Sequence, residues 1–267
     1  MSEDLFSLQG RVALVTGGSR GIGRMIAEGF LKRGVKVYIS ARKAEACDKA
    51  AAEMSKLGTC ISLPADVSSV AGARALAAKI AEKESRLDIL VNNAGAAWAA
   101  PFDEFHESGW DKVVNLNLKA PFFLTHALIG LLRAAASDQA THRPAKVINV
   151  ASIDGISVNP LETYSYAASK AGLIHLTRRM AQRLARDNIV VSAIAPGPFR
   201  SEMNTDARDN TDRVAKRVPV GRVGVDDDMA GAAIYLASRA GDYVVGTTIV
   251  VDGGVSDARG FRSTDEV

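Results

Sequence analysis

The sequence predicts an α/β fold in three layers, a doubly wound parallel sheet of seven strands with helices on both faces. Three observations carry the prediction. Short apolar runs rich in β-branched residues alternate with longer stretches of helical periodicity, the pattern of a parallel sheet built from crossover helices. The first run leads through a glycine-rich turn straight into a helical stretch. The run Lys146-Val147-Ile148-Asn149-Val150-Ala151 delivers Ser152 to its C-terminal end, where open parallel sheets bind their ligands.

Composition narrows the class. With 267 residues, 47% of them hydrophobic, one large domain over 1–267 is expected rather than two small ones. A charged fraction of 24%, a net charge of +3 and the lack of a basic tract argue against nucleic acid as a partner. Cys47 and Cys60 have neither metal-ligand spacing nor a disulfide framework, so two buried thiols in a reducing compartment and no metal are expected. Residues 1–10 carry two acids and no long apolar run, so neither a signal peptide nor a membrane anchor is expected. The expected location is cytoplasmic.

The elements follow in order. Residues 11–16 form an apolar strand, and Gly17-Gly18-Ser19-Arg20-Gly21-Ile22-Gly23 turns into a helix ending near Gly34. Such a Rossmann-type turn lets the backbone approach a diphosphate, whose charge is favoured by the free N–H groups of the helix N-terminus. Glycines alone fit a tight packing turn equally well; the strand and helix around them supply the context the motif requires. No Lys-Ser/Thr ending follows, so phosphoryl transfer is not expected. A second strand, 35–40, ends in Ala41-Arg42, about 20 residues beyond the turn, where a dinucleotide site keeps the acid that bonds the ribose 2′-OH. No acid is present. Arg42 and Arg20 are therefore either solvated charges or partners of a 2′-phosphate, and the missing acid favours NADP(H).

A helix over 44–57, a strand over 60–65 and a helix over 69–85 continue the alternation. Asp66-Val67 follows the third strand, where Asp66 either bonds an adenine amine or caps the next helix. A fourth strand, 88–92, leads to Asn93-Ala94-Gly95 beside the expected cofactor. Residues 108–136 form a long helical region bent near Pro121 and containing Asn115 and Asn117, and a polar loop, 137–143, leads to the fifth strand. A helix to about residue 186, a strand over 189–195 and a seventh strand over 247–251 complete the sheet. Residues 196–225 hold three prolines, many charges and no clear strand. A segment this long is expected to be a substrate lid with short helices, at about 197–225. The tail, 256–267, is polar and expected to be loose.

The chemistry lies in Ser152, Tyr166 and Lys170. A tyrosine and lysine at i, i+4 share one helix face. Tyr164 would need a lysine at position 168, which is alanine, so Tyr166 is preferred. An ammonium near a phenol favours the phenolate and makes the phenol a better proton donor, and Ser152 can bond the same substrate oxygen. No side chain carries a hydride, so a redox cofactor is required.

The ordered set Thr16-Gly17-x-x-x-Gly21-x-Gly23, Asp66, Asn92-Asn93-Ala94-Gly95, Asn117, Ser152, Tyr166-x-x-x-Lys170, Pro196-Gly197 and Val251-Asp252-Gly253-Gly254 resembles the short-chain dehydrogenase/reductase family over essentially the whole chain. The resemblance implies Tyr166 as acid/base, Lys170 lowering its pKa and holding the nicotinamide ribose, Ser152 orienting the substrate oxygen, and Asn117, rather than Asn115, holding a relay water. It also implies cofactor contacts from Gly17, Ser19, Arg20, Gly21, Ile22, Gly23, Arg42, Asp66, Val67, Asn93, Ala94 and Gly95. Pro196-Gly197 would adjoin the nicotinamide, with the Ser201 hydroxyl available to its carboxamide.

Within the family the chain is similar to NADPH-dependent 3-oxoacyl reductases of the rhamnolipid-associated type, although the stretch from Ser152 to Tyr166 looks one residue longer than in many relatives. The implied substrate is a 3-oxoacyl thioester on a carrier protein or coenzyme A, and the implied assembly a homotetramer paired through 108–136, 163–187 and the C-terminal strand. Arg200, Arg208, Arg213, Lys216, Arg217 and Arg222 in the lid, with Arg143 and Arg186, are candidates for steering an acidic carrier; Glu202, Asp206, Asp209 and Asp212 among them are the counterargument. The alternatives are a sugar, polyol or steroid dehydrogenase and a non-catalytic NADP-binding sensor.

Overall fold

A computed structural model describes residues 4–138 and 143–258. The expected loop at 137–143 and tail at 256–267 therefore lie partly outside the described residues. The sheet is parallel throughout, in the order β3-β2-β1-β4-β5-β6-β7. Its strands are β1 (Val12–Thr16), β2 (Lys36–Ser40), β3 (Cys60–Ser62), β4 (Ile89–Asn92), β5 (Ala145–Val150), β6 (Ile189–Pro196) and β7 (Thr248–Val251). Strand order reverses between β1 and β4, so their C-terminal ends diverge into the crevice where α/β sheets bind ligands. All residues of β1, β4, β5 and β6 are buried, as expected of strands covered on both faces.

Helices α1 (Gly21–Leu31), α2 (Ala44–Met54) and α3 (Val70–Ala81) follow the first three strands. Ser69 caps α3 by accepting from Gly72 N at 3.1 Å. Helices α4 (Glu107–Val114), α5 (Ala120–Ala127) and α6 (Ile129–Ala136) form the expected helical region, with a π turn, Asn115–Lys119, between α4 and α5. The bend differs from expectation. It measures 59° and lies at Leu128, whereas Pro121 sits in the first turn of α5, where a missing N–H is tolerated.

Helix α7 (Tyr164–Leu184) follows β5, and α8 (Thr205–Asp209) and α9 (Thr211–Ala215) are the short helices of the segment 197–225. That segment is pinched at its base, where Phe199 pairs with Gly224 and Gly224 N donates to Pro198 O at 2.9 Å. A further helix, α10 (Asp226–Ala237), is not among the elements expected from sequence. One apolar layer packs α1, α2 and α10 on the sheet; the other packs α3, α5, α6 and α7. Gly29 allows α1 and α10 their close approach, since a Cβ there would stand 2.6 Å from Ala230 Cβ.

The N-terminal end of the sheet is braced by charge. Arg11, 5% exposed, donates to Ala237 O and Pro144 O and lies 3.7 Å from Asp88 Oδ1, while Asp88 Oδ2 accepts from Val12 N at 2.8 Å. Lys146, 1% exposed, meets Asp242 at 2.7 Å.

Candidate active site

Ser152, Tyr166 and Lys170 converge beyond the C-terminal end of β5. Ser152 follows that strand and opens a one-turn 3-10 helix, Ile153–Gly155, its Oγ accepting from Asp154 N at 3.1 Å. Lys170 Nζ donates to Val150 O at 2.8 Å and lies 5.6 Å from the centroid of the Tyr166 ring. The two tyrosines separate clearly: the Tyr164 hydroxyl donates to Glu162 Oε1 at 2.9 Å on the exposed side of α7, while Tyr166 is engaged by the Ser152 hydroxyl.

Burial is the largest influence on Tyr166 and, with hydrogen bonding to Ser152 pulling down and the Asp154 charge pushing up, carries the phenol to about 12. Burial likewise drives the Lys170 ammonium down to about 8, against the Asp154 charge. At neutral pH the phenol is protonated, the form that donates.

Asn117 lies in the π turn, a distortion frequent at functional sites. Its Oδ1 accepts from Ala96 N at 2.8 Å, and its Nδ2 donates to Ala96 O at 2.9 Å and Ser169 Oγ at 3.1 Å. Gly95 faces the same place, since a Cβ there would lie 3.3 Å from Asn117 Oδ1 and 3.8 Å from Lys170 Nζ. Asn115 points elsewhere, lining a surface hollow with Arg42, Ser68 and Lys112.

The glycine turn forms a cradle that only glycine can line. Gly17 and Gly21 take φ of +66° and +53°, and a Cβ on Gly23 would stand 2.3 Å from Gly17 O and 2.4 Å from Asn93 Nδ2. The turn presents the N-terminus of α1, with Ser19 half-buried and Arg20 exposed beside it. Arg42 stands exposed at the end of β2, where its charge helps hold the Asp66 carboxyl below the usual range. The chief cause of that lowering is the Ser68 N–H, which Asp66 Oδ1 accepts at 2.9 Å, so Asp66 serves as a turn cap. Val67 and Ile22 send their side chains into or against the core, which leaves their backbones to a ligand. Gly197 N donates to Val251 O, setting the Pro196-Gly197 backbone at the end of β6. Ser201 caps its own loop, accepting from Asn204 N, and packs at Gly21, where a Cβ would meet Ser201 Cβ at 3.3 Å. Ser201 thus lies against the glycine turn.

Two hydrogen-bond networks support the site, linking residues whose pairing sequence reading did not assign. Thr16 Oγ1 donates to Val91 O at 3.2 Å and accepts from Asn93 N at 3.0 Å and Ala94 N at 3.1 Å, while Asn93 Nδ2 donates to Thr16 O at 2.9 Å. This clasp joins the glycine turn to the loop after β4. Behind the site, Asn92 Nδ2 donates to Asn149 Oδ1 at 2.9 Å, and Asn149 Nδ2 to Thr177 Oγ1 at 2.9 Å, tying β4 and β5 to α7. An asparagine inside an otherwise apolar strand is the only sequence signal of this network.

The steering role expected of Arg143 and Arg186 fails on geometry. Arg143 precedes β5 and donates to Ser7 O, at the N-terminal end of the sheet, roughly 20 Å from Ser152 along a six-residue strand. Arg186 follows the far end of α7, roughly 24 Å along the axis from Lys170. In and beside the segment 197–225, Arg208 pairs with Glu202 and Asp209, Arg213 with Asp206, and Arg222 with Asp228.

Comparison with known proteins agrees with this geometry. The family model described as Enoyl-(Acyl carrier protein) reductase matches residues 17–256. A rhamnolipids biosynthesis 3-oxoacyl-(acyl-carrier-protein) reductase of Pseudomonas aeruginosa is 47% identical over 252 residues, covering 93% of this chain and 97% of that protein. A 2-dehydro-3-deoxy-D-gluconate 5-dehydrogenase of Dickeya dadantii is 38% identical, covering 93% and 96%. The solved Pseudomonas aeruginosa RhlG/NADP active-site complex superposes with a TM-score of 0.91 at 46% identity, covering 95% of this chain and 99% of that one. With its seven-stranded parallel sheet, its glycine cradle and Ser152, Tyr166 and Lys170 gathered at one strand end, the chain belongs to the short-chain dehydrogenase/reductase family.

Proposed function

We propose that the protein is an NADPH-dependent reductase of 3-oxoacyl thioesters, with Tyr166 as the proton donor. The observation that carries the reading is the convergence of Ser152, Tyr166 and Lys170 where the glycine cradle opens. The cradle, Asn93-Ala94-Gly95, the backbones of Asp66 and Val67, Pro196-Gly197 and Lys170 would hold the cofactor, and Arg42 with Arg20 its 2′-phosphate. NADP solved with the RhlG relative supports that choice. Bound NADPH supplies the hydride. The Ser152 hydroxyl hydrogen-bonds the substrate carbonyl oxygen, and Tyr166 gives that oxygen its proton. Lys170 stabilises the phenolate left behind. Since the Asn117 side chain is committed to Ala96 and Ser169, the relay water falls to its backbone carbonyl, to which Pro121 has no N–H to offer.

The rim of the site favours an acyl chain over a sugar. Phe102 is 72% exposed, Val158 92% and Leu161 69%, on two loops joined where Ala100 N and Phe102 N donate to Glu162. Exposed apolar side chains clustered beside a catalytic serine mark a binding surface for apolar matter. We read 197–225 as the lid over it. Carrier delivery is supported by Arg200, Lys216 and Arg217, which form no ion pair among the described residues. A homotetramer is supported by the exposed Trp110 and Phe122 on α4 and α5 and by Tyr243 and Val245 just before β7. A cytoplasmic location is supported by the two free, buried thiols, and no single described helix is long and apolar enough to cross a membrane.

NADPH oxidation with 3-oxoacyl thioesters of increasing chain length, set beside keto sugar acids, tests the reading. Efficiency should rise with chain length. Turnover of keto sugar acids with none of any thioester would overturn it in favour of a sugar dehydrogenase like the Dickeya relative.

A further inference from the structure

The Val251-Asp252-Gly253-Gly254 run at the end of β7 fastens both arms of the segment 197–225. The outgoing arm meets it at Gly197, where N donates to Val251 O at 2.9 Å and a Cβ would stand 2.5 Å from Asp252 Cβ. The returning arm meets it at Val220, whose N donates to Gly253 O at 3.1 Å. Gly253 takes φ of +65°, and a Cβ there would stand 2.7 Å from Val218 Cγ1 and 2.8 Å from Val220 Cγ1. Asp252 closes the run on itself, accepting from Gly254 N at 2.8 Å and Ser256 N at 2.7 Å. Val218, 2% exposed, then packs with Val255 and Ile153, and Val250 of β7 lies against the three.

Ile153 is the chain neighbour of Ser152. It begins the 3-10 turn Ile153–Gly155, and Ser152 caps that turn by accepting from Asp154 N. The turn has two supports. On one side Gly155 lies on α7, since a Cβ there would stand 2.6 Å from the Lys170 carbonyl carbon. On the other, Ile153 is held by Val218 and Val255. We propose that Val218 is a positioning residue that carries the placement of the segment 197–225 to the Ser152 hydroxyl, with Gly253 as the seat that lets it reach Ile153. The inference rests on the reading of Ser152 as the group that hydrogen-bonds the substrate carbonyl. Shortening Val218 opens space beside Ile153, which the surrounding side chains fill only in part, and the turn gains freedom at the end that bears Ser152. A small displacement of that hydroxyl weakens a contact the reaction needs in its transition state.

The test is a double-mutant cycle of Val218→Ala with Ser152→Ala, read in kcat for carbonyl reduction at saturating NADPH. With Ser152 present, Val218→Ala should lower kcat and kcat/KM by about tenfold each, with NADPH affinity unchanged. With Ser152 already replaced, the same substitution should change kcat by less than about twofold, the span within which independent sites add. An equal loss in both backgrounds, or a loss confined to KM in the first, overturns the inference. Gly253→Ala, which drives a Cβ against Val218, should show the same pattern, and wild-type kcat in it overturns the inference as well. If Val218→Ala does not fold, Ile153→Val, which removes one methyl group from the same contact, takes its place in the cycle. The cycle runs on whichever carbonyl compound the enzyme reduces, so its outcome is separate from the choice of acyl thioester. Ser152→Ala with wild-type kcat removes the underlying assignment, whereas a slow Ser152→Ala with additive losses removes only the role of Val218.

Discussion

Replacing Thr16 by valine keeps shape and removes the hydroxyl on which the cofactor crevice is hung. In the native protein Thr16 Oγ1, 2% exposed as a residue, accepts from Asn93 N and Ala94 N and donates to Val91 O. Valine leaves two N–H donors and one carbonyl without that partner. An unsatisfied buried group costs about 1–3 kcal/mol. Asn93 and Ala94 are half-buried, so water recovers part of each loss, and a total of about 2–3 kcal/mol follows. For a chain of this size that corresponds to a fall in Tm of roughly 5–10 °C. Because the freed N–H groups belong to the loop facing Gly17 and Gly23, NADPH should also bind more weakly. Thermal unfolding with and without NADPH, compared with Thr16→Ser, which keeps the hydroxyl, measures both effects. A valine variant as stable as wild type with the same NADPH affinity, or a serine variant equally damaged, would refute the clasp.

Arg42→Ala removes the proposed charge-assisted contact to the 2′-phosphate. Such bonds are worth about 1.5–3 kcal/mol, and the exposure of Arg42 places the loss at the low end, about tenfold in NADPH affinity with NADH little changed. Fluorescence titration of both cofactors checks it; equal losses would exclude the role. Lys146 offers a pH test of the opposite end of the sheet, because burial lowers its pKa from 10.5 to about 8. Between those values the unfolded chain binds more protons, so stability from this residue rises with pH across the window and its cost is complete below about pH 8. Denaturant midpoints of wild type minus Lys146→Met should therefore climb from pH 8 to 10.5, and a flat difference would show that the ammonium meets no net cost there.

Much of this fold could be read from the sequence because its signals are local. Strand alternation, the glycine turn with its context and the i, i+4 spacing that selects Tyr166 over Tyr164 all lie within one or two elements. What escaped depends on the tertiary structure. Helix α10 opens with three aspartates and goes on in alanine and glycine, a pattern whose apolar face becomes evident only against α1. The bend at Leu128 competes in sequence with the more conspicuous Pro121, yet the neighbouring π turn absorbs the proline. Arg143 and Arg186 flank the catalytic strand and helix in sequence, but parallel packing carries both to the far end of the sheet. The Thr16 clasp joins residues on β1 and the loop after β4, and the rise in the Tyr166 pKa comes from burial that only packing creates.

The central claim is that Tyr166 is the proton donor, and paired phenylalanine substitutions test it most directly. Tyr166→Phe removes one hydroxyl and should lower kcat for NADPH-dependent reduction of a 3-oxoacyl thioester by about 10²–10⁴-fold with NADPH affinity retained. Tyr164→Phe, which loses only an exposed bond to Glu162, should stay near wild type. An inactive Tyr164→Phe beside an active Tyr166→Phe would contradict the account.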